Sequence, residues 1–283
     1  LEAYNKVVPQ AKGQAEQTIR QAEGFAVNRV NRSKGDAENF LAVWTAYNKA
    51  EDVTRRRLYL ETLLEILPEL ESIYLIDEQQ KGFIPLLQLQ PGDRVADIWA
   101  GGGYYSELLG VIVGAEGQVL LVNNAAYKQF ASKALAQRTA GRELPGVVIH
   151  VREAEDLDLG KNQLDAALIV MSYHDIYHVD EKNGWRVIDP GDFLGQIYTA
   201  LKPGGRFLIV DHAAAPGSGK RDAQDLHRID PEFATADILS HGFILAGSSD
   251  ALRNPDDDYT VMVFDPSVRG RTDRFILVFT KPE

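Results

Sequence analysis

The stretch Val95–Tyr105, VADIWAGGGYY, constrains the fold of this chain more than any other. It reads as a short apolar strand that ends near Asp97, a turn that contains Gly101, Gly102 and Gly103, and the start of a helix. Glycines let the backbone of such a turn approach a ligand, and the free N–H groups at the helix start face its polar groups. The stretch therefore favours a site for a nucleotide-sized ligand.

Beyond residue 90 the sequence alternates short apolar strands with helices, a pattern typical of a parallel sheet with helices on both faces. The predicted strands are Val95–Ile98, Val119–Val122, Val147–Val151, Ala166–Met171, Arg206–Asp211, Phe243–Ser248 and Phe275–Phe279. The predicted helices start at Tyr104 or cover about Tyr127–Thr139, Phe193–Leu201 and Phe233–Ser240. We expect an α/β fold, a Rossmann-like, doubly wound and mainly parallel seven-stranded sheet, with ligands at the carboxyl ends of its strands.

Further polar features lie where these strands end. Asn123 follows the second strand, twenty residues past Gly103, where a side chain normally meets ribose hydroxyls. The run Glu153-Ala154-Glu155-Asp156 follows the third strand and is placed to meet an adenine amino group by carboxylate and backbone. The stretch LKPGGRFLIVDH is a turn that leads into a central strand. Together with the glycine turn, these features indicate a nucleoside cofactor.

Residues 1–89 differ in composition from the rest, since they hold only 4 of the 24 glycines. Three eleven-residue blocks repeat there, AKGQAEQTIRQ, AEGFAVNRVNR and SKGDAENFLAV. The blocks place Gly13, Gly24, Gly35, then Ile19, Val30, Leu41 in register. An eleven-residue period of about 3.67 residues per turn keeps this stripe almost straight along a helix. Because the composition changes near residue 90, we place a domain boundary between residues 1–89 and residues 90–283.

The repeats predict a helix over Pro9–Asn48, roughly 60 Å long at about 1.5 Å per residue. A second helix, Val53–Leu67, and a short strand, Ser72–Ile76, are expected to follow. A helix this long with so narrow an apolar face does not bury itself, so we expect it to pack against other copies as a coiled coil.

Composition excludes several function classes. The chain has no cysteine, which rules out disulfides, thiolate metal sites and a cysteine nucleophile. A net charge of −11 argues against a broad nucleic-acid surface, and no nucleic-acid partner is expected. No apolar run reaches the length of a membrane span. The chain opens on Leu1, which indicates an excerpt whose upstream region can hold a membrane anchor.

Residues 90–283 closely resemble the class I S-adenosylmethionine-dependent methyltransferases. The resemblance rests on PGDRVADIWAGGGYY, YHD, LKPGG, DHAA, LHRID and FDPSVRGRTDRF, and more narrowly these motifs resemble a family of predicted methyltransferases. It implies S-adenosylmethionine as cofactor and a small molecule or a protein as methyl acceptor. It also implies the cofactor contacts: Asp97, Gly101 and Gly103 at the methionine end, Asn123 at the ribose, and Glu153 with Ala154 at the adenine.

Two positions depart from the pattern of that superfamily. Its turn reads acidic-x-Gly-x-Gly-x-Gly, and Trp99 stands where the first glycine belongs. An indole there blocks the pocket, twists the turn or rotates away beneath it. Asn123 replaces the usual carboxylate, and a neutral amide hydrogen-bonds a ribose hydroxyl more weakly than a charged group does.

Methyl transfer from a sulfonium needs a positioned acceptor and, for an oxygen or nitrogen acceptor, a base. The candidate catalytic residues follow the fourth and fifth strands: His174, Asp175 and His212. The alternative for each of these residues is a structural role, in which its side chain caps a helix or stabilises the turn. His174 and His178 also share the i, i+4 spacing of a helical metal pair, but no third ligand is evident, so no metal site is predicted.

Two motifs near the end of the chain allow a substrate-side role or a structural one. His227 lies in LHRID, and Arg271 with Asp273 lies in RGRTDR. They either close over the substrate or pin the long connection before the last strand, and we favour the structural role.

Residues 1–89 resemble the C-terminal coiled-coil end of HflK, a member of the stomatin/prohibitin group. The resemblance rests on the repeats followed by VTRRRLYLETLLEIL and IYLIDEQQKGFIPLLQL. HflK-type proteins form membrane-anchored assemblies that modulate the FtsH protease. The resemblance therefore implies self-association and a membrane protease complex as partner, with no catalytic residue to transfer.

Two hypotheses of different classes follow. In one, residues 90–283 are an active methyltransferase, and residues 1–89 bring several copies of it together. In the other, the chain is an assembly module whose Rossmann-like part has lost cofactor binding through Trp99. The cofactor favours the cytoplasm, whereas HflK-type coiled coils lie outside it, so the resemblances leave the compartment open.

Overall fold

The computed structural model describes residues 2–66, 84–141 and 143–283. The chain divides into two compact units, Leu1–Ile76 and Asp77–Glu283, which we call the helical unit and the sheet unit. The predicted strand Ser72–Ile76 lies outside the described residues.

The helical unit contains α1 (Glu2–Lys49) and α2 (Glu51–Ile66), which confirms the long predicted helix. The stripe residues Ile19, Val30 and Leu41 are 57%, 52% and 59% exposed. The described residues therefore leave the apolar stripe of α1 uncovered. No helix of the described chain is both long enough and apolar enough to cross a membrane.

The sheet unit is built on seven strands in the order β3-β2-β1-β4-β5-β7-β6. They are β1 (Arg94–Ile98), β2 (Gln118–Asn123), β3 (Val147–Val151), β4 (Leu164–Val170), β5 (Leu201–His212), β6 (Ile244–Ser249) and β7 (Arg274–Thr280). Strands β1 to β5 pair in parallel, while β7 pairs antiparallel with both β5 and β6. The predicted mainly parallel, Rossmann-like sheet is confirmed.

Helices cover both faces of this sheet, and each face has its own apolar core. They are α3 (Tyr104–Val113), α4 (Ala125–Phe130), α5 (Ser132–Thr139), α6 (Pro190–Ala200), α7 (Ala223–Leu226) and α8 (Pro231–Ser240). The helix predicted around Tyr127–Thr139 is thus two helices with a break at Ala131. Burial on both faces explains why residues 166–170 of β4, AALIV, read as a continuous apolar run instead of an alternating one.

A 3-10 helix, Ile84–Leu87, packs on the sheet unit. Leu87 is buried in one of the two cores, and Arg206 donates to the carbonyl oxygen of Leu86 at 2.8 Å. The packing of the sheet unit therefore starts before the predicted boundary at residues 89 and 90.

Candidate functional site at the carboxyl edge of the sheet

The turn after β1 is fixed by left-handed backbone and by close packing. Gly101 and Gly103 have φ of 56° and 75°, values that glycine adopts without strain. A Cβ atom on Gly102 would lie 2.8 Å from the Cβ atom of Ala134, so the turn sits directly on α5. Asn123 holds it from β2, because its Oδ1 accepts from the Gly101 N–H at 2.9 Å and its Nδ2 donates to the Gly101 carbonyl at 3.0 Å.

Asp97 lies buried near the end of β1, below this turn. Its Oδ2 accepts a hydrogen bond of 2.6 Å from the Ser106 hydroxyl. Burial raises the pKa of Asp97 to about 7, although the hydrogen bonds from Ser106 oppose that rise. A cationic group placed beside this carboxylate would favour its charged form.

Trp99 keeps the left-handed backbone that a glycine would adopt there, with φ of 54°. Its ring packs into the core, stacked on Phe193 at 4.7 Å and on Tyr127 at 5.5 Å between centroids. The indole N–H is buried and has no hydrogen-bond partner within the described part of the chain. The ring of Trp99 thus belongs to the apolar core, and it also lines a cleft.

That cleft lies between the loops after β1, β2, β3 and β4. Its lining includes Trp99, Asn124, the loop residues 153–155, Asp175 and His178, with residues 184–188 on its remaining side. About 360 Å³ of space lies among the lining atoms, part of it open to solvent.

The predicted cofactor residues divide into two groups. Asp97, Gly101, Gly103 and Asn123 meet at the turn, whereas Glu153 and Ala154 line the cleft. Glu153 accepts from the N–H of Ala125 at 3.2 Å, and the carbonyl of Ala154 accepts from Gln196 at 2.9 Å. Asn124, which sequence reasoning missed, also lines the cleft and caps α4. The usual preference for asparagine before a helix was a signal for that capping role.

The predicted catalytic residues lie together at the ends of β4 and β5. His174 follows β4, and its Nδ1 lies 2.8 Å from Oδ1 of Asp211 at the end of β5. Its Nε2 lies 3.2 Å from Nδ1 of His227. Asp175 accepts a short hydrogen bond from the hydroxyl of Tyr127. His212 lies next to this group, and its Nδ1 is 2.7 Å from the Thr272 hydroxyl.

The electrostatics of the two histidines differ. Burial lowers the pKa of His174, but the carboxylates of Asp175 and Asp211 outweigh it and raise that pKa to about 10. Burial lowers the pKa of His212 to about 4, which leaves this ring neutral at pH 7.

The helical pair of His174 and His178 is not what the fold builds. Residues Tyr173–Tyr177 form a 3-10 helix, and Nδ1 of His178 lies 3.2 Å from the carbonyl of Gln224. His227 lies against His174 instead, and the structural role favoured for His227 stays a prediction. Sequence carried no local signal for this contact, because the two histidines are 53 residues apart.

Arg271 and Asp273 do hold the long connection before β7. Asp273 accepts from Nε of Arg253 at 2.9 Å and from the hydroxyl of Tyr259 at 2.9 Å. Arg271 donates to the carbonyl of Ser267 at 2.6 Å. The structural role favoured for these two residues agrees with these contacts.

Comparisons with known proteins give two different kinds of match. The model of a methyltransferase domain family matches residues 96–209. Over 137 residues the chain is 29% identical to the ubiquinone/menaquinone biosynthesis C-methyltransferase UbiE of Ectopseudomonas mendocina, which covers 48% of this chain and 47% of that protein. Over 87 residues it is 40% identical to Protein HflK of Borreliella burgdorferi, which covers 31% of this chain and 28% of that protein.

The fold of the sheet unit also matches solved structures. One is the methyltransferase in complex with the Trm112 activator of Haloferax volcanii, with a TM-score of 0.50 and 16% identity over 70% of this chain and 85% of that one. At this identity the match concerns the fold alone. The chain spans less than half the length of the curated relatives named above.

Proposed function

Residues 96–209 are a methyltransferase domain of the class I, S-adenosylmethionine-dependent type, and from this premise we propose that the sheet unit moves a methyl group from S-adenosylmethionine to an acceptor. The observation that carries the proposal is the buried carboxylate of Asp97 beneath the glycine turn. Burial disfavours the charged form of this carboxylate and raises its pKa to about 7. A cation beside it, such as the ammonium group of the cofactor, would favour the charged form and bind to it.

For the individual cofactor contacts we propose the residues at this edge that the sequence singled out. Asp97 would hold the ammonium group, with the backbone of Gly101 and Gly103 beside it. Asn123 would exchange one of its hydrogen bonds to Gly101 for one to the ribose, and Glu153 and Ala154 would meet the adenine. When bound, S-adenosylmethionine supplies a methyl group on a positively charged sulfur.

The remaining task of this chain is to position the acceptor and to remove a proton from it. We propose His174, Asp175 and His212 for that task, on a small molecule or a protein as acceptor, with His212 as the base because its ring is neutral at pH 7 and the other two as positioning residues. Support comes from their shared place at the ends of β4 and β5, and from Asp175, which lines the cleft.

Calorimetric titration with S-adenosylmethionine tests the cofactor assignment. We expect saturable heat with the wild-type chain and none with Asp97→Ala. Asp250→Ala removes an exposed carboxylate after β6 and serves as the matched control, which should bind as the wild type does. Equal binding by the wild type and by Asp97→Ala would overturn the assignment.

One observation favours a second candidate function, an assembly module without cofactor. Trp99 forms a wall of the cleft where the family pattern has a glycine, and both polar atoms of the Asn123 amide are bonded to Gly101. This alternative predicts no heat with the wild-type chain and recovered heat with Trp99→Gly, a change that the left-handed backbone at residue 99 accommodates.

For the helical unit we propose self-association through the apolar stripe of α1. The support is the exposure of Ile19, Val30 and Leu41 at eleven-residue spacing, which gives each copy the same face. The similarity to HflK extends this to a proposed membrane protease complex. Replacing these three residues by serine should reduce the sedimentation coefficient of the full chain at equal concentration, and an unchanged coefficient would refute the pairing.

A further inference from the structure

Three ligand atoms converge beside the cleft. They are Nε2 of His174, Nδ1 of His227 and Oδ1 of Asp175, and they belong to two different connections of the sheet unit. The two nitrogens are 3.2 Å apart, and the oxygen lies 3.3 Å from His174 and 3.4 Å from His227. The three atoms thus form a nearly equilateral triangle.

The size of this triangle suits a transition-metal ion. Zinc lies about 2.0–2.2 Å from histidine nitrogen and carboxylate oxygen. An ion about 2.1 Å from three atoms that are about 3.3 Å apart sits ~0.9 Å above their plane and subtends ligand angles of about 104°. This angle is close to the tetrahedral one, and three protein ligands leave the fourth position open, as in catalytic zinc sites.

The oxygen of this triangle lacks any other partner. Asp175 is 6% exposed, and its Oδ1 is fully buried and accepts no hydrogen bond within the described part of the chain. The other oxygen, Oδ2, is occupied by the hydroxyl of Tyr127. The nearest polar neighbours of Oδ1 are the two histidine nitrogens of the triangle, at 3.3 and 3.4 Å, and a cation among the three atoms would bind it more directly than either ring does.

The neighbouring residues orient the ligands as they do in known metal sites. Metal-binding histidines commonly donate their second ring N–H to a carboxylate, which fixes the tautomer and the ring plane. His174 has this arrangement, because its Nδ1 lies 2.8 Å from Oδ1 of the fully buried Asp211. Nε2 is then the ring nitrogen left to bind an ion in the triangle.

His227 is held in place at some conformational cost. Its φ of 53° is left-handed, which is unusual for a residue with a side chain. The backbone on its carboxyl side is fixed, since Ile229 donates to the carbonyl of His212 at 3.0 Å and Arg228 is buried in an ion pair with Asp257. Such strain is retained where the surrounding structure enforces it, and it is frequent at functional sites.

We propose that His174, Asp175 and His227 bind one divalent transition-metal ion, with zinc as the ion that fits best. Two nitrogen donors and one oxygen favour zinc over magnesium or calcium, which prefer oxygen ligands. Asp175 also lines the cleft, so a ligand in the open position lies beside it. If the proposed methyl transfer is correct, this position orients the oxygen or nitrogen of the acceptor.

The test uses the full chain, stripped of metal and titrated with Zn²⁺ against a chromophoric chelator. We expect one Zn²⁺ per chain and no competition from Mg²⁺. Substitution by Co²⁺ should give the intense visible absorption of four-coordinate cobalt. Absence of stoichiometric Zn²⁺ binding, or equal binding of Mg²⁺, overturns the proposal.

Variants assign the ligands. His227→Asn retains a residue that tolerates the left-handed backbone and should weaken binding by more than about 100-fold. Asp211→Asn leaves all three ligands in place and should weaken it by about 10- to 100-fold. His241→Ala, at the end of α8, is the matched control and should bind Zn²⁺ as the wild type does. Wild-type affinity in His227→Asn would overturn the site, and circular dichroism checks that each variant is folded.

The metal titration is independent of cofactor binding. A chain that binds Zn²⁺ but gives no heat with S-adenosylmethionine retains the metal site and loses the proposed methyl transfer. A chain that binds the cofactor but not Zn²⁺ loses only the metal site.

Discussion

The glycines of α1 differ from Gly103 and Gly110 of the sheet unit in the space around them. In α1, a Cβ atom added to Gly13, Gly24 or Gly35 would meet nothing within 4 Å. In the sheet unit, a Cβ atom on Gly103 would lie 2.7 Å from Leu121, and one on Gly110 would collide with the carbonyl oxygen of Pro145.

This difference shows what each pattern encodes. Gly103 and Gly110 of the sheet unit are required by packing within the chain, so they report on its own fold. The glycines of α1 have no such requirement within the described residues, although each costs about 1 kcal/mol of helix stability relative to alanine. Their regular spacing is therefore better explained by a partner helix that approaches closely, in line with the proposed self-association.

The largest expected effect concerns ion pairs in the two units. Arg228 is fully buried and paired with Asp257 at 2.8 Å, so Arg228→Met should lower the free energy of unfolding of the sheet unit by about 3–5 kcal/mol. Arg57→Met, which breaks an exposed pair with Glu61 at 3.4 Å in α2, should change stability by less than about 1 kcal/mol. Urea unfolding followed by near- and far-ultraviolet circular dichroism measures both. Equal effects would contradict the contrast.

The next effect depends on pH. The pKa of Asp97 is about 7 in the folded chain against 3.8 for the ordinary carboxyl, so the folded state binds more protons between these values. The contribution of Asp97 to stability therefore falls as pH rises from about 4 to about 7, by at most about 4 kcal/mol. Asp97→Asn should remove this fall. Parallel urea midpoints against pH for wild type and variant would refute it.

A smaller effect separates the glycines themselves. Gly110→Ala should destabilise the sheet unit by about 1–3 kcal/mol, because the added methyl group meets the backbone of Pro145. Gly24→Ala should stabilise α1 by about 1 kcal/mol and so raise the helix content of the full chain. Thermal unfolding followed by circular dichroism compares them. A loss of helix in Gly24→Ala at low protein concentration would show that this glycine is needed within the chain.

The fold was largely predictable because its signals are local and repeated. Strand lengths, glycine turns and the eleven-residue period indicate the sheet and α1, and the structure differs at Ala131, where one predicted helix is two. The glycine turn with Gly101 and Gly103 was likewise predictable from its position after a strand, whereas the cofactor contacts assigned to it stay a prediction.

The histidine cluster was less predictable because its contacts are long-range. Asp211 and His227 join His174 across 37 and 53 residues, and no spacing rule links positions so far apart. The i, i+4 rule pointed to His178 instead, and it failed because the segment is a 3-10 helix. The ring of Trp99 was also undetermined, since its partners Tyr127 and Phe193 come from two separate helices.

Hydrogen–deuterium exchange of the full chain, with and without S-adenosylmethionine, tests most directly whether the sheet unit alone holds the cofactor. The account predicts slower exchange in peptides that cover residues 97–106, 123–127 and 152–157, and unchanged exchange along α1. Unchanged exchange in all three of those segments at saturating cofactor would contradict it.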